Sequence, residues 1–214
     1  MHEKKVTETP QSGILKQAYK SSQRPHSGRF QTELVSRHML SQMTKMKKEI
    51  LLAKIKKIGI IRRGQFKLRS GMASDLYCDA RKLFGDPNLL LAISCAICKM
   101  LPKDTTCVAG SGYGGLPLAA AVALVGKTKL SAVRNETKSH GIKTSIECYI
   151  PGMKDRVVIV DDLFTTGSSI LDTAKELKKE GAKIIGAIVV IKRSKIRNFS
   201  IPLQHLFTFE EIIN

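Results

Sequence analysis

Val157-Val-Ile-Val-Asp-Asp-Leu-Phe-Thr-Thr-Gly-Ser-Ser169 changes character twice within thirteen residues. The run Val157–Val160 is continuously branched and apolar, which reads as a strand covered on both faces, since a strand with one wet face alternates apolar and polar positions. Seven of the nine residues from Asp161 to Ser169 are acidic, hydroxylated or glycine. A helical period then runs from Ser169 to Glu180, and a second continuously apolar stretch, Ile184–Ile191, follows. Covered strand, polar turn, helix and covered strand in that order form one βαβ unit, the building block of a mostly parallel sheet.

Working outward, the alternation continues in both directions. The pattern predicts a helix over Asp86–Leu101, a strand over Thr105–Ala109, a helix over Leu116–Val125, and strands over Leu130–Val133, Thr144–Tyr149 and Leu203–Phe207. Gly64–Gly71 alternates apolar and polar residues between glycines and reads as a short strand or hairpin arm. From Ser41, Met43, Met46, Ile50, Leu51, Ile55 and Ile58 recur at helical spacing with lysines between them, the pattern of a basic amphipathic helix packing one stripe on a core. Residues 1–41 carry no sustained period and are rich in Ser, Thr, Gln and His, so they read as a basic, flexible extension. Residues 42–214 read as one α/β domain.

Composition narrows the partners without choosing one. Of 214 residues 36 are Lys or Arg and 18 are Asp or Glu, a formal net charge of +18 on a chain of ordinary globular composition. A positive surface favours phosphate-bearing partners, whether nucleic acid, anionic membrane or a polyphosphate metabolite. The longest apolar run, Leu89–Cys98, is too short to span a bilayer, and Met1-His-Glu-Lys-Lys5 is not followed by the apolar stretch of a secretory signal. The expectation is a cytoplasmic protein with no membrane partner. Five cysteines at irregular spacing make a poor disulfide framework, and Cys95-Ala-Ile-Cys98 lacks the second pair that zinc would need. Both cysteines fall in a buried helical pattern and read as small hydrophobes.

The chemistry is expected in the turns that follow the strands, because open parallel sheets bind ligands outside the carboxyl ends of their strands. Asp161 and Asp162 can accept hydrogen bonds from the hydroxyl pair of a sugar and hold Mg²⁺ through water. Thr165, Thr166, Gly167, Ser168 and Ser169 offer hydroxyls, backbone N–H groups and the positive end of a helix to a phosphate. One loop could thus grip a ribose 5-phosphate. The bland alternative is helix capping, which needs only one such residue where this turn has seven acidic, hydroxylated or glycine positions.

Val157–Ser169 closely resembles the phosphoribosyl pyrophosphate (PRPP) binding motif of type I phosphoribosyltransferases, and it differs from the lysine-bearing P-loop because no Gly-Lys-Ser/Thr follows. The resemblance implies the fold of that family, with a small arm or hood over the base site, a Mg²⁺–PRPP substrate, and displacement of pyrophosphate by a nitrogen nucleophile. Arg134-Asn-Glu-Thr-Lys-Ser-His-Gly141 resembles the catalytic loop of the orotate members, whose cationic positions fall on Arg134, Lys138 and His140. Gly64–Asp79 resembles their N-terminal arm, and Gly110-Ser-Gly-Tyr-Gly-Gly-Leu-Pro117 resembles their pyrophosphate loop. Arg193 ends an apolar strand where that family binds the orotate carboxylate, a planar anion that suits a guanidinium fork.

By this resemblance Lys138, His140, Arg134 and Asp162 are the expected catalytic residues. PRPP would be bound by Asp161, Asp162, Thr165, Thr166, Gly167, Ser168, Ser169, Gly112, Tyr113 and Gly114, and orotate by Arg193, Thr165, Arg69 and Tyr77. Mg²⁺ would be held mainly by PRPP. The family also implies a homodimer in which the catalytic loop reaches the neighbour's site. The chain departs from its relatives in several places. Asn135 and Gly114 stand where many or some place lysine, Arg69 where some have lysine, Cys78 where some have an aromatic, and Ser194–Ile201 is a shorter connection than usual. Two rival functions stay open at this point. One is a phosphoribosyltransferase for another base, and the other a PRPP-sensing regulator that binds nucleic acid through its basic N-terminal extension.

Overall fold

The protein is described by a computed structural model over residues 48–67, 71, 73–134, 145–196 and 198–214. All of these fall in the second of the two units into which the chain divides, Met43–Asn214. The expected extension, and the first turns of the basic helix, lie outside the described residues.

Among them the chain runs α1 (Lys48–Ile58), β1 (Ile61–Lys67), β2 (Ala73–Cys78), a 3₁₀ turn (Ala80–Gly85), α2 (Pro87–Met100), β3 (Cys107–Ser111), α3 (Gly112–Gly126) and β4 (Lys129–Val133). It continues through β5 (Ile146–Cys148), β6 (Arg156–Phe164), α4 (Ser168–Lys179), β7 (Lys183–Lys192), β8 (Leu203–Thr208) and α5 (Phe209–Ile213). The sheet order is β5-β4-β3-β6-β7-β8, with only β5 antiparallel to its neighbour. β1 and β2 form a separate antiparallel hairpin. This is the expected α/β fold with a mostly parallel sheet.

Side-chain alternation divides the core into two layers. Val158 and Val160 of β6 join Val108, Leu118, Val122, Ile93 and Ile97 on the face covered by α2 and α3. Val157 and Ile159 join Cys107, Ala109, Ile170, Ala174 and Leu177 on the face covered by α4. The helix ends follow local chemistry. Asp86 caps α2 by accepting the N–H groups of Asn88 at 2.9 Å and Leu89 at 3.1 Å, with Pro87 supplying the fixed φ that a first helical position suits.

Two boundaries differ from the sequence expectation, and both matter to the site. β6 does not stop at Val160. Asp161, Leu163 and Phe164 pair with Val189, Ile191 and Lys192 of β7, so the two acids sit in the strand and not in the turn after it. α3 begins at Gly112 instead of Leu116, so the expected pyrophosphate loop is the first turn of a helix entered directly from β3. Its leading N–H groups have no partner within the helix, which preserves the anion-binding capacity expected of a loop.

Candidate functional site

Parallel pairing sends the carboxyl ends of β3, β4, β6 and β7 to one edge of the sheet. From β3 the chain crosses to β4 and from β6 to β7, moving outward in opposite directions, so a crevice opens at this edge between β3 and β6. Gly112–Gly115 flank it on one side and Asp161–Ser169 on the other.

The acids are tightly placed. Asp161 is 8% exposed, and its two oxygens are used separately: Oδ1 accepts the Asp162 N–H at 2.9 Å, and Oδ2 accepts Ser169 Oγ–H at 2.8 Å. Asp162 lies against α3, where a Cβ on Gly114 would run into its carboxylate. Glycine at 114 is thus what lets the acid of one strand and the helix start of the next share the crevice. A lysine side chain in its place would require Asp162 to move. Burial and the charge of Asp162 push Asp161 up to about 7, and burial likewise raises Asp162. Among the described residues no three His, Cys, Asp or Glu side chains are grouped to hold a metal ion. Two mutually repelling carboxylates fit a cation that arrives hydrated and bound to an anionic substrate better than they fit a resident metal.

Thr165, Thr166 and Ser168 are exposed around Gly167, which is buried with φ +81°. Gly167 is the N-cap of α4 and has no side chain to cap it; Thr166 Oγ1 accepts the Ser168 N–H at 3.5 Å. One long contact of this kind uses a single hydroxyl, so capping does not account for the exposed Thr165 and Ser168 beside it. Beneath the turn, Phe199 meets Phe164 edge-on at 5.0 Å between ring centroids, and both rings abut Gly167. The short Ser194–Ile201 connection thus folds back under the turn, with Ile201 buried.

Arg193 follows β7, its N–H donating to Phe164 O at 2.8 Å. Its Nη2 donates to Ser74 Oγ on β2 at 2.8 Å, and its guanidinium carbon lies 4.5 Å from the Phe209 ring centroid. The hairpin arm is thereby tied to the sheet at the site. Within it Tyr77 packs on Phe66, with centroids 5.4 Å apart, and its OH accepts a hydrogen bond from Arg81 at 3.2 Å. Burial pushes the Cys78 thiol up to about 12, with Asp162 adding and Arg193 opposing, so this cysteine is no thiolate nucleophile. Arg134 follows β4 and pairs with Glu147 at 3.4 Å. Lys138, His140 and Arg69 lie outside the described residues. The structure brings Asp161, Asp162, Gly114 and Ser169 together, and sets Arg193 and Tyr77 on the arm side.

Three neighbours of the site were not expected from sequence, Arg81, Phe199 and Phe209, while Ser74 lies within the expected arm. Only Phe209 had a local cue, the capping-box pattern Thr208-Phe-Glu-Glu211, which marks a helix start.

A family model for the phosphoribosyl transferase domain matches residues 101–200, which hold the crevice and both its flanks. Orotate phosphoribosyltransferase of Methanocaldococcus jannaschii is 33% identical over 171 residues, covering 78% of this chain and 97% of that protein. The chain belongs to the orotate phosphoribosyltransferase family. The enzyme of the same name from Pyrococcus abyssi is 38% identical over 152 residues, covering 69% of this chain and 82% of its own. The crystal structure of orotate phosphoribosyltransferase from Aeropyrum pernix superposes with a TM-score of 0.65 at 32% identity, over 76% of this chain and 96% of that one. The family's type I phosphoribosyltransferase fold is the one described above.

Proposed function

We propose that this protein is an orotate phosphoribosyltransferase that converts orotate and PRPP to orotidine 5′-monophosphate and pyrophosphate in pyrimidine (UMP) biosynthesis. The observation that carries the reading is the Thr165–Ser169 turn, with its exposed hydroxyls at the start of α4, beside the paired acids at the switch point. It is a phosphate cradle and a diol acceptor within one strand–helix connection, in a chain whose relatives bear that name.

In this reading Thr165, Thr166, Gly167, Ser168 and Ser169 and the start of α4 hold the 5-phosphate. Asp161 and Asp162 accept the ribose hydroxyls. Gly112, Tyr113, Gly114 and Gly115 at the start of α3 receive the pyrophosphate on unpartnered N–H groups. Arg193 forks the orotate carboxylate, with Thr165, Arg69 and Tyr77 around the ring. An orotate ring nitrogen bonds to the anomeric carbon as the bond from that carbon to the pyrophosphate oxygen breaks, and the ring N–H proton passes to the released pyrophosphate or to water. Lys138, His140 and Arg134 neutralise the charge that grows on the leaving group and close the site to water. Mg²⁺ supplies further charge neutralisation when bound with PRPP, and Asp161 and Asp162 would meet it through water.

The reading extends to assembly and place. A homodimer that shares the catalytic loop fits the outer face of α3, whose helix carries no charged residue and exposes Tyr113, Leu116 and Leu124. A helix apolar on all sides belongs inside a protein. The cytosol fits five unpaired cysteines and the lack, among the described residues, of a helix long and apolar enough to cross a membrane. Residues 1–41 stand as a separate basic extension outside the 42–214 domain. Residues 1–63 hold +11 of the net +18, so a nucleic-acid role would sit there.

The test is pyrophosphate release from PRPP and Mg²⁺ with orotate, uracil or adenine as acceptor. Release with orotate alone is expected. Turnover of adenine with none of orotate would overturn the assignment.

A further inference from the structure

The side chain that would read the orotate carboxylate is itself held by a part of the chain that takes no other part in the site. Arg193 has a long, rotamer-rich stem, and a guanidinium left free would lose entropy each time it bound an anion. Here its carbon stands over the Phe209 ring at 4.5 Å, while one nitrogen donates to Ser74 Oγ at 2.8 Å. Phe209 is 6% exposed and opens α5, whose position is fixed at several points. Thr208 Oγ accepts the Glu211 N–H at 3.2 Å, and the Thr208 N–H donates to Glu211 Oε2 at 2.7 Å. Glu211 also receives Lys48 Nζ of α1 at 2.8 Å. The ring is thus anchored from β8, from α1 and by its own burial, and it offers a fixed face to a cation.

We propose that Phe209 is a positioning residue for orotate: its ring fixes the Arg193 guanidinium from one side, so that the N–H donors at the rim of that group are presented to the base carboxylate. The ring contact uses the π-face attraction of an aromatic for a cation and consumes none of the five N–H donors. Ser74 occupies one donor in the free site and has an alternative partner in the Leu76 backbone, with which it already exchanges hydrogen bonds at 2.8 and 3.2 Å. A carboxylate can therefore take its place without leaving a buried hydroxyl unpaired. The inference rests on Arg193 reading the orotate carboxylate.

Steady-state kinetics of the full chain test it, with both substrates varied, in Phe209→Leu, Phe209→Met, Phe209→Tyr, Arg193→Gln and the Arg193→Gln/Phe209→Leu pair, each also melted thermally. Loss of the ring is expected to raise KM for orotate roughly tenfold, with kcat and KM for PRPP within about twofold of wild type. Phe209→Tyr should restore the wild-type KM. In the Arg193→Gln background the Leu substitution should add nothing, since its effect runs through the guanidinium. Phe209→Met keeps the buried volume, so it reports on the ring if the Leu variant fails to fold. Equal changes in both KM values, or an orotate effect that persists without Arg193, would overturn the inference. An orotate KM unmoved in Arg193→Gln would instead overturn the reading of Arg193. A KM moved there but not in the Leu and Met variants would overturn the Phe209 inference alone.

Discussion

Gly167→Ala concentrates two independent costs at the turn assigned to the 5-phosphate. The first is backbone: φ is +81°, a region that disfavours any residue with a Cβ by about 1–2 kcal/mol. The second is packing. The added Cβ would sit 2.5 Å from Phe199 Cε2 and 2.7 Å from Phe164 Cε2. Phe164 is fully buried and cannot swing aside, so the turn or Phe199 must move, at the ~1–3 kcal/mol typical of an overpacked core. Together these give about 2–5 kcal/mol, or a Tm lowered by roughly 5–15 °C in a domain of this size. Displacing the turn also spoils its N–H and hydroxyl geometry, so KM for PRPP should rise at least tenfold while KM for orotate changes much less. Thermal melting and initial-rate kinetics read both effects. A variant that melts within about 1 °C of wild type and keeps its KM for PRPP would refute the reasoning that the two rings and the left-handed glycine hold this turn.

Asp161→Asn should alter how stability depends on pH. The folded-state pKa of Asp161 is pushed up to about 7 by burial and Asp162, above its unfolded value. Between pH 4 and 7 the folded protein therefore holds a proton that the unfolded chain has lost, and stability falls as pH rises through this window. The variant should show a flatter Tm profile from pH 5 to 8 and melt higher than wild type at pH 8 without ligand, whereas a profile parallel to wild type would contradict the assignment. Asp155→Ala should cost about 2–4 kcal/mol with both KM values unchanged, because the carboxylate accepts hydrogen bonds from Gly152, Tyr149, Lys129 and Thr106 far from the crevice. Although burial opposes it, these donors hold the Asp155 carboxyl well below the usual carboxylate range. The pair-wise support they give is present above the ordinary carboxylate pKa and is lost only in strong acid, so denaturant titrations of wild type and variant should converge as pH falls.

The sequence made the sheet legible because its central strands are wet on neither face. Val157–Val160 and Ile184–Ile191 could be little else, and β6 and β7 lie over them. It did not reveal where β6 ends. Asp161 and Asp162 break the apolar pattern, so polarity pointed to a turn, while backbone pairing with β7 continues through Phe164 regardless of what the side chains prefer. The same limit applies to α3. Gly112-Tyr-Gly-Gly115 has poor intrinsic helix propensity, and the helix starts there because the chain leaves β3 at that point and packs Gly115 and Leu118 at once. The Thr165–Ser169 turn and the acids were readable as a contiguous motif. Arg81, Phe199 and Phe209 were not, since each reaches the site from outside the segments that carry the motif pattern.

The knot around Asp155 divides the molecule in a way that bears on handling it. It clamps β4, the β5–β6 connection and the approach to β3 at the amino edge of the sheet, while the crevice opens at the carboxyl edge. Mechanical load applied at the amino edge enters through the hydrogen bonds that converge on Asp155. The Glu180 side of the turn into β7 is exposed at that edge, while the neighbouring Lys183 N–H donates to the Asp155 carbonyl at 3.1 Å. Glu180, unlike the left-handed Gly181 that abuts Met153, is an attachment point for a surface tether or fluorescent label that leaves the carboxyl edge facing solution.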